Sequence, residues 1–331
     1  VDYMVKSIAL HGGAGAWRVR PGVEKSIETI RKCTEIAWRK LVELNNSLEA
    51  VVEAVKCMED SGYLNAGFGS VPNLLGEREL DAGLMTSTGL IGAVAAVKAT
   101  RNPILLARIV AEKTPHILLA GENADKLALM NSLPPLPPMP EVVMERYREV
   151  LKKVFRDEPA DYFYKALKTF VERDGVFHGL IQKLIEVYDT VGAVAIDDRG
   201  VLAAATSTGG VILKLPGRVG DTPIPGAGFY ASSSVACSAT GIGEFIIKTM
   251  PCLRLGMEYE SRRAPEDALR SVFNHVEKNV GSNTMGLIAI DKDGKILYGY
   301  NTEAMLIGYV VKGEVFVELK PEPRIKIIHD V

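Results

Sequence analysis

A threonine standing directly before an apolar run in mid-chain is the feature that most constrains this sequence. Residues 188–210 read Tyr-Asp-Thr-Val-Gly-Ala-Val-Ala-Ile-Asp-Asp-Arg-Gly-Val-Leu-Ala-Ala-Ala-Thr-Ser-Thr-Gly-Gly. Thr190 opens an apolar strand, a turn falls at Asp198-Arg199-Gly200, and a second apolar strand ends in hydroxyls. Such a run is a buried hairpin. Taken alone, Thr190 needs no further explanation, because β-branched residues favour strands.

The residues that follow change that reading. Leu215-Pro-Gly-Arg-Val-Gly-Asp-Thr-Pro-Ile-Pro-Gly-Ala-Gly228 sets one fixed cation, Arg218, three residues before one carboxylate, Asp221, in a loop too rich in Gly and Pro to be helical. Ala239-Thr-Gly-Ile-Gly-Glu244 then opens an apolar segment that reads as a helix. Backbone N–H groups at a glycine turn before a helix stabilise developing negative charge.

Together these residues resemble the plant-type asparaginase and isoaspartyl peptidase family of N-terminal nucleophile (Ntn) hydrolases, which includes glycosylasparaginase. The resemblance runs from His11-Gly-Gly-Ala-Gly-Ala16, through Asn65-Ala-Gly-Phe-Gly-Ser70 and Glu79-Leu-Asp-Ala82, to Gly243-Glu244. It is weak only at about 133–187 and beyond about 280, so roughly two thirds of the 331 residues carry it. It implies an α+β fold, a four-layer αββα sandwich built from all of residues 1–331 as a single domain. It also implies self-cleavage between Asp189 and Thr190, giving an α subunit of residues 1–189 and a β subunit of 190–331, and an (αβ)2 homo-oligomer.

Composition excludes several other classes. With 39 basic and 41 acidic residues and a net charge of −2, the chain has no electrostatic footprint for nucleic acid. No segment supplies the ~20 apolar residues of a membrane span, and the beginning of the sequence lacks the pattern of a secretory signal, so a cytoplasmic protein is expected. The four cysteines, Cys33, Cys57, Cys237 and Cys252, form no C-x-x-C pair and do not cluster with the five histidines. Buried free thiols are expected rather than a disulfide framework or a zinc site. A single glutamine among many charged residues hints at heat adaptation.

Along the chain, residues 7–10 read as a short strand entering a glycine turn. Helices are expected over about 23–44 and 48–58, and a hairpin over 80–97 with its turn at 86–89. Asn102-Pro103 reads as cap and first turn of a helix to about Lys113. The proline cluster at 133–140 reads as a stiff loop, and 141–187 as a charged helical or mobile connector. Past the loop, a helix is expected over about 264–279, a strand over 285–290 and a closing hairpin over about 296–317.

Amide hydrolysis needs a nucleophile, a base and an oxyanion hole. The chain has no G-x-S-x-G elbow. A threonine freed at its own amino terminus supplies hydroxyl and base together, since an α-amine titrates near ~7.7 to 8.0. The resemblance makes Thr190 the nucleophile, Thr208 a hydroxyl partner, and Thr240 with the N–H of Gly241 the oxyanion hole. It gives Arg218 to the substrate α-carboxylate, Asp221 to its α-ammonium, and places Asn65 near the site. Structural alternatives stand beside these: an Arg218–Asp221 loop ion pair, Thr208 as a strand end, Asn65 as a turn former. His11, directly after a strand, is expected to be structural rather than a base.

No catalytic cofactor is implied. A structural sodium ion is, held by backbone carbonyls of Met58, Glu59, Ser61, Leu64, Ala66 and Phe68, in keeping with the oxygen preference of hard cations. The substrate implied is L-asparagine or a β-aspartyl dipeptide. Departures from the family pattern are Tyr188-Asp189 before the nucleophile, a glycosylasparaginase habit, and Met85-Thr86-Ser87 where Met-Asp-Gly is usual. Ser207-Thr208-Gly209-Gly210 is asparaginase-like. Glycosylasparaginase is therefore one alternative, and an uncleaved, inactive scaffold is another. Gly226-Ala-Gly228-Phe-Tyr-Ala231 matches G-x-G-x-x-A, but Thr222-Pro-Ile-Pro225 is a poor strand to precede a dinucleotide site.

Overall fold

The computed structural model describes residues 5–20, 22–154 and 190–329. Asp189 and most of the charged connector lie outside the described residues. In chain order the elements are β1 (Ser7–Gly15), α1 (Val23–Leu44), α2 (Ser47–Asp60), β2 (Leu80–Thr86), β3 (Ile91–Val97), α3 (Pro103–Lys113), β4 (Leu118–Ala120), α4 (Gly121–Met130) and α5 (Glu141–Val154). They continue as β5 (Val191–Ile196), β6 (Leu202–Thr208), β7 (Phe229–Ala231), β8 (Val235–Gly241), α6 (Gly243–Thr249), α7 (Pro251–Glu260) and α8 (Pro265–Val280). The last are β9 (Met285–Asp291), β10 (Ile296–Tyr300), β11 (Ala304–Val311), β12 (Glu314–Leu319) and β13 (Arg324–Ile328).

The described residues form a mixed α+β structure with two sheets. The larger runs β12-β11-β1-β5-β6-β2-β3-β4, and the smaller runs β13-β10-β9-β8-β7. Strand alternation decides what each sheet buries. In β5, Ala193 and Ala195 join Ile30, Leu41, Val51 and Val55 of α1 and α2. Val194 and Ile196, pointing the other way, meet Phe229, Ile288 and Ile290 of the smaller sheet. In β9, Leu287 and Ala289 turn away from that interface toward Leu255, Leu269 and Val272 of α7 and α8.

Local sequence explains most element ends. Asn46 caps α2 by accepting the Glu49 N–H at 3.2 Å, and the 86–89 turn closes through the Gly89 N–H on the Thr86 carbonyl. The proline stretch is loop, as expected, tied down by Arg101 N–H to Pro134 O and Leu136 N–H to Ala99 O. Pro103 does open α3, but Asn102 does not cap it. Its side chain donates to Glu59 and Asp60, and Glu59 Oε1 takes the Ile104 N–H at 3.0 Å instead.

Two further expectations are corrected, on the closing hairpin and the cysteines, and the exclusion of a dinucleotide site holds. The closing hairpin over 296–317 is not one hairpin: β10 pairs with β9 in the smaller sheet, whereas β11 pairs with β1 in the larger, so the chain crosses between sheets at 301–303. Local alternation looks the same in either case. Gly226–Gly228 runs into β7 rather than a helix, which removes the context a dinucleotide site needs. The cysteines are not free: Cys33 pairs with Cys57 and Cys237 with Cys252. Packing of α1 on α2, and of α7 on β8, brings together residues whose sequence spacing carries no such signal.

The two bridges close loops of 24 and 15 residues, for which chain entropy predicts a contribution of about 3 kcal/mol each. Thiol titration in denaturant should find no reactive cysteine before reduction and four after. Detection of all four without reductant would return the cysteines to the free state.

Candidate active site

Thr190 immediately precedes β5, a strand hydrogen-bonded on both edges. Val191 lies opposite Ser207 of β6, and Gly192 opposite His11 of β1. Thr190 is only 6 % exposed. Its N–H reaches Thr240 Oγ1 at 3.4 Å across the gap between the sheets, and its own Oγ1 lies 3.5 Å from that of Thr222. Thr208 closes β6 opposite Asp81, and its Oγ1 accepts the Gly210 N–H at 2.9 Å. Thr240 and Gly241 close β8, where Gly241 takes φ +140°, a backbone state that side chains disfavour.

These ends meet in one narrow cleft. Thr190, Thr208, Arg218, Asp221 and Gly241 line it together with Thr222, Gly210 and Gly243. Of the catalytic and substrate-binding residues singled out in the sequence, two do not line it: Thr240, whose Oγ1 accepts the Thr190 N–H, and Asn65. The Asn65 side chain donates to Gly210 O at 2.7 Å and accepts the Val71 N–H, while its carbonyl accepts the Gly209 N–H. Asn65 thus holds the glycine turn from behind. A larger cavity lies elsewhere, between α1 and α2, lined by the surface ion pairs of Lys25 and Lys56 and by Tyr63.

The two charged loop residues do not pair as a simple loop bridge. Arg218 gives Nε and Nη2 to the two oxygens of Glu244 at 2.9 and 2.8 Å. Asp221 is 3 % exposed and its Oδ2 has no hydrogen-bond partner. Burial drives its pKa from 3.8 to about 7, with Arg218 opposing. An unpartnered carboxylate facing a cleft is a receptor for a cationic group.

His11 lies within β1 rather than after it, fully buried, with Nε2 2.7 Å from Ser238 Oγ. Burial pushes its pKa down to about 3, the backbone of Thr190 opposing, so the ring is neutral near pH 7. A side chain at Gly192 would fall 2.0 Å from Ser238 Oγ and 2.4 Å from His11 Nε2. The pair braces β5 two residues beyond Thr190.

Thr222, Glu244 and Ser238 were given no role in the sequence reading. Their partners lie at separations of 32, 26 and 227 residues, and no local pattern announces contacts of that range. The loop after α2 brings backbone carbonyls close to its glycines. A side chain at Gly67 would lie 2.7 Å from Glu59 O, and one at Gly69 would lie 2.3 Å from Leu64 O. Oxygens are the donors that a hard cation takes, but the Leu64, Ala66 and Phe68 carbonyls already accept bonds from Ala66 N–H, Gly69 N–H and Arg78 Nη1.

The chain is similar to known proteins along nearly its whole length. A family model described as asparaginase matches residues 4–317. The chain is 41% identical over 318 residues to a plant-type L-asparaginase of Pyrobaculum calidifontis, covering 95% of this chain and 99% of that protein. It is 38% identical over 314 residues to a plant-type L-asparaginase of Pyrococcus furiosus, covering 93% and 97%. It is also 38% identical over 315 residues to the isoaspartyl peptidase of Escherichia coli, covering 93% of each.

Asp221 generates a prediction whose sign is fixed. Its folded pKa, about 7, exceeds the ordinary 3.8, so the folded state holds the proton more tightly than the unfolded chain. Stability is therefore lost as pH rises from about 4 to about 7. Asp221→Asn should match the parent below pH 4, gain on it through that window, and stay ahead by about 1 kcal/mol or more at pH 8. Thermal melts at pH 4 and pH 8 measure this. A lower melting temperature for the variant at pH 8 would show that Asp221 is a stabilising partner of Arg218 instead.

Proposed function

We propose that this chain, which belongs to the asparaginase family, is a threonine-dependent amidohydrolase that cleaves itself before Thr190. It then hydrolyses the side-chain amide of L-asparagine and the β-aspartyl bond of isoaspartyl dipeptides. The observation that carries this reading is the convergence of Thr190, Thr208, Arg218, Asp221 and Gly241 on one cleft. The names of the relatives, plant-type L-asparaginase and isoaspartyl peptidase, support the same substrates. Helices packed on the outer faces of two stacked sheets support the four-layer αββα sandwich of Ntn hydrolases.

In this mechanism the Thr190 Oγ attacks the amide carbon, and its proton passes to the α-amine of the same residue. The carbonyl oxygen becomes an oxyanion that accepts from the Thr240 hydroxyl and the Gly241 N–H. The leaving amine takes the proton back, and an ester joins the aspartyl group to Thr190. Water, deprotonated by the same amine, attacks the ester and releases aspartate. Arg218 receives the α-carboxylate, for which its planar fork is suited, and Asp221 the α-ammonium. Thr208, anchored on Gly210, orients its hydroxyl at the nucleophile.

A sodium ion in the loop after α2 would be held by carbonyls of Met58, Glu59, Ser61, Leu64, Ala66 and Phe68. It would stiffen the segment that carries Asn65, and no chemical step passes through it. A glycosylasparaginase, the alternative, tends to carry asparagine in place of Gly209. Here a side chain at Gly209 would lie 2.6 Å from Asn65 Oδ1 and from Ser70 Cβ, which favours the asparaginase reading.

The test is maturation of the purified protein. Of the 331 residues, the first 189 and the last 142 should separate into two bands on a denaturing gel, the second beginning at Thr190. Thr190→Ala should remain one band and lose several orders of magnitude in asparagine hydrolysis. Thr190→Ser, which keeps a hydroxyl, should still cleave slowly. A break elsewhere, or a Thr190→Ala protein that cleaves, contradicts the mechanism, and a wild-type chain that stays whole and inactive is a scaffold.

A further inference from the structure

The proposed reaction uses one cation, Arg218, which lines the cleft, yet another is buried behind it. Lys214 is fully buried, and its Nζ donates to the Glu79 carbonyl at 2.8 Å. A side chain begun at Gly210 would lie 3.0 Å from Lys214 Nζ and 3.2 Å from Arg218 Nη1. Both cationic heads therefore sit against the same cleft-lining glycine. An isolated buried ammonium is costly, so such a group is kept with a counter-charge.

The nearby anions are unequal. The Glu79 carboxylate is occupied, taking the Gly217 N–H at 3.0 and 3.1 Å and the Asn73 amide at 3.1 Å. Glu244 is occupied by Arg218. Asp81 is fully buried, accepts the Ala96 N–H through Oδ1 at 2.8 Å, and leaves Oδ2 without a partner. Burial raises its pKa, and the cations opposing that rise are Lys214 first and Arg218 second. Take Lys214 away, and the next cation for Asp81 is the one that the substrate needs.

We propose that Lys214 is a positioning residue: its ammonium compensates Asp81, so that Arg218 remains forward on Glu244 with Nη1 toward the cleft, ready for a substrate α-carboxylate. This rests on the hydrolase reading and extends it. It also gives a purpose to the Glu79-Leu-Asp-Ala82 segment, whose Glu79 carbonyl holds the ammonium and whose Asp81 carboxylate feels its charge without bonding to it. Lys214 touches no substrate. Its effect passes through the place and orientation of Arg218.

The experiment is a double-mutant cycle read in KM and kcat for L-asparagine with processed enzyme. Lys214→Met should raise KM about tenfold or more and leave kcat within about threefold, because binding of the α-carboxylate is lost and the chemical step is not. Lys214→Met with Asp81→Asn should bring KM back to within about threefold of the parent, since Asn keeps the bond to Ala96 and no charge remains to draw Arg218 back. An unchanged KM in the single variant, or a folded double variant as impaired as the single, overturns the proposal. If the single variant does not fold, the double variant decides alone: near-parental KM supports the proposal, and a tenfold rise overturns it. A parent with no activity on asparagine or β-aspartyl dipeptides would instead overturn the hydrolase reading.

Discussion

The lock on β5 from both sides is the constraint on which the site depends. Paired with β1 along one edge and β6 along the other, β5 cannot slide, and a one-residue slip would reverse every side chain. Thr190 is thereby fixed at the seam between the two sheets, within reach of Thr240 on the facing one. The closeness of that approach depends on small residues. Ala193, Ala195, Ala203 and Ala205 let α2 come down on the central strands, and Gly192 makes room for His11 and Ser238.

Around this fixed point the protein holds charges that a folding argument alone would not select. Asp81, Asp221 and Lys214 are withdrawn from water and Arg218 largely so, while its partner Glu244 keeps 37 % of its side chain exposed. Buried ions are rarely a net gain in stability. In the proposed reaction their arrangement serves a zwitterion: the free Oδ2 of Asp221 for the ammonium, and a guanidinium held by Glu244 for the carboxylate. An interior built this way trades stability for binding, as functional sites commonly do.

The sequence made most of the candidate site legible because its residues stand in local patterns. Thr190 and Thr208 mark the two ends of one hairpin, Arg218 and Asp221 stand three residues apart in one loop, and Thr240-Gly241 ends one strand. Turn glycines and strand alternation locate each of these. What stayed hidden depends on tertiary packing. The Cys33–Cys57 bridge needs α1 laid on α2, and Glu244 finds Arg218 only when α6 packs beside the loop. β10 and β11 look like one hairpin until each is assigned a sheet. Asn65 was expected near the site and stands one layer behind it, a distinction that no turn signature conveys.

The central claim is that the Thr190 hydroxyl forms the covalent bond to substrate. Processed enzyme quenched in acid during turnover of L-asparagine, digested and mapped by mass spectrometry, tests this directly. The peptide that begins at Thr190 should be heavier by one aspartyl residue, with the modification on the threonine side chain, and should lose it under mild alkali as an ester does. An adduct mapped to Thr208, Thr222 or any other side chain would contradict the account.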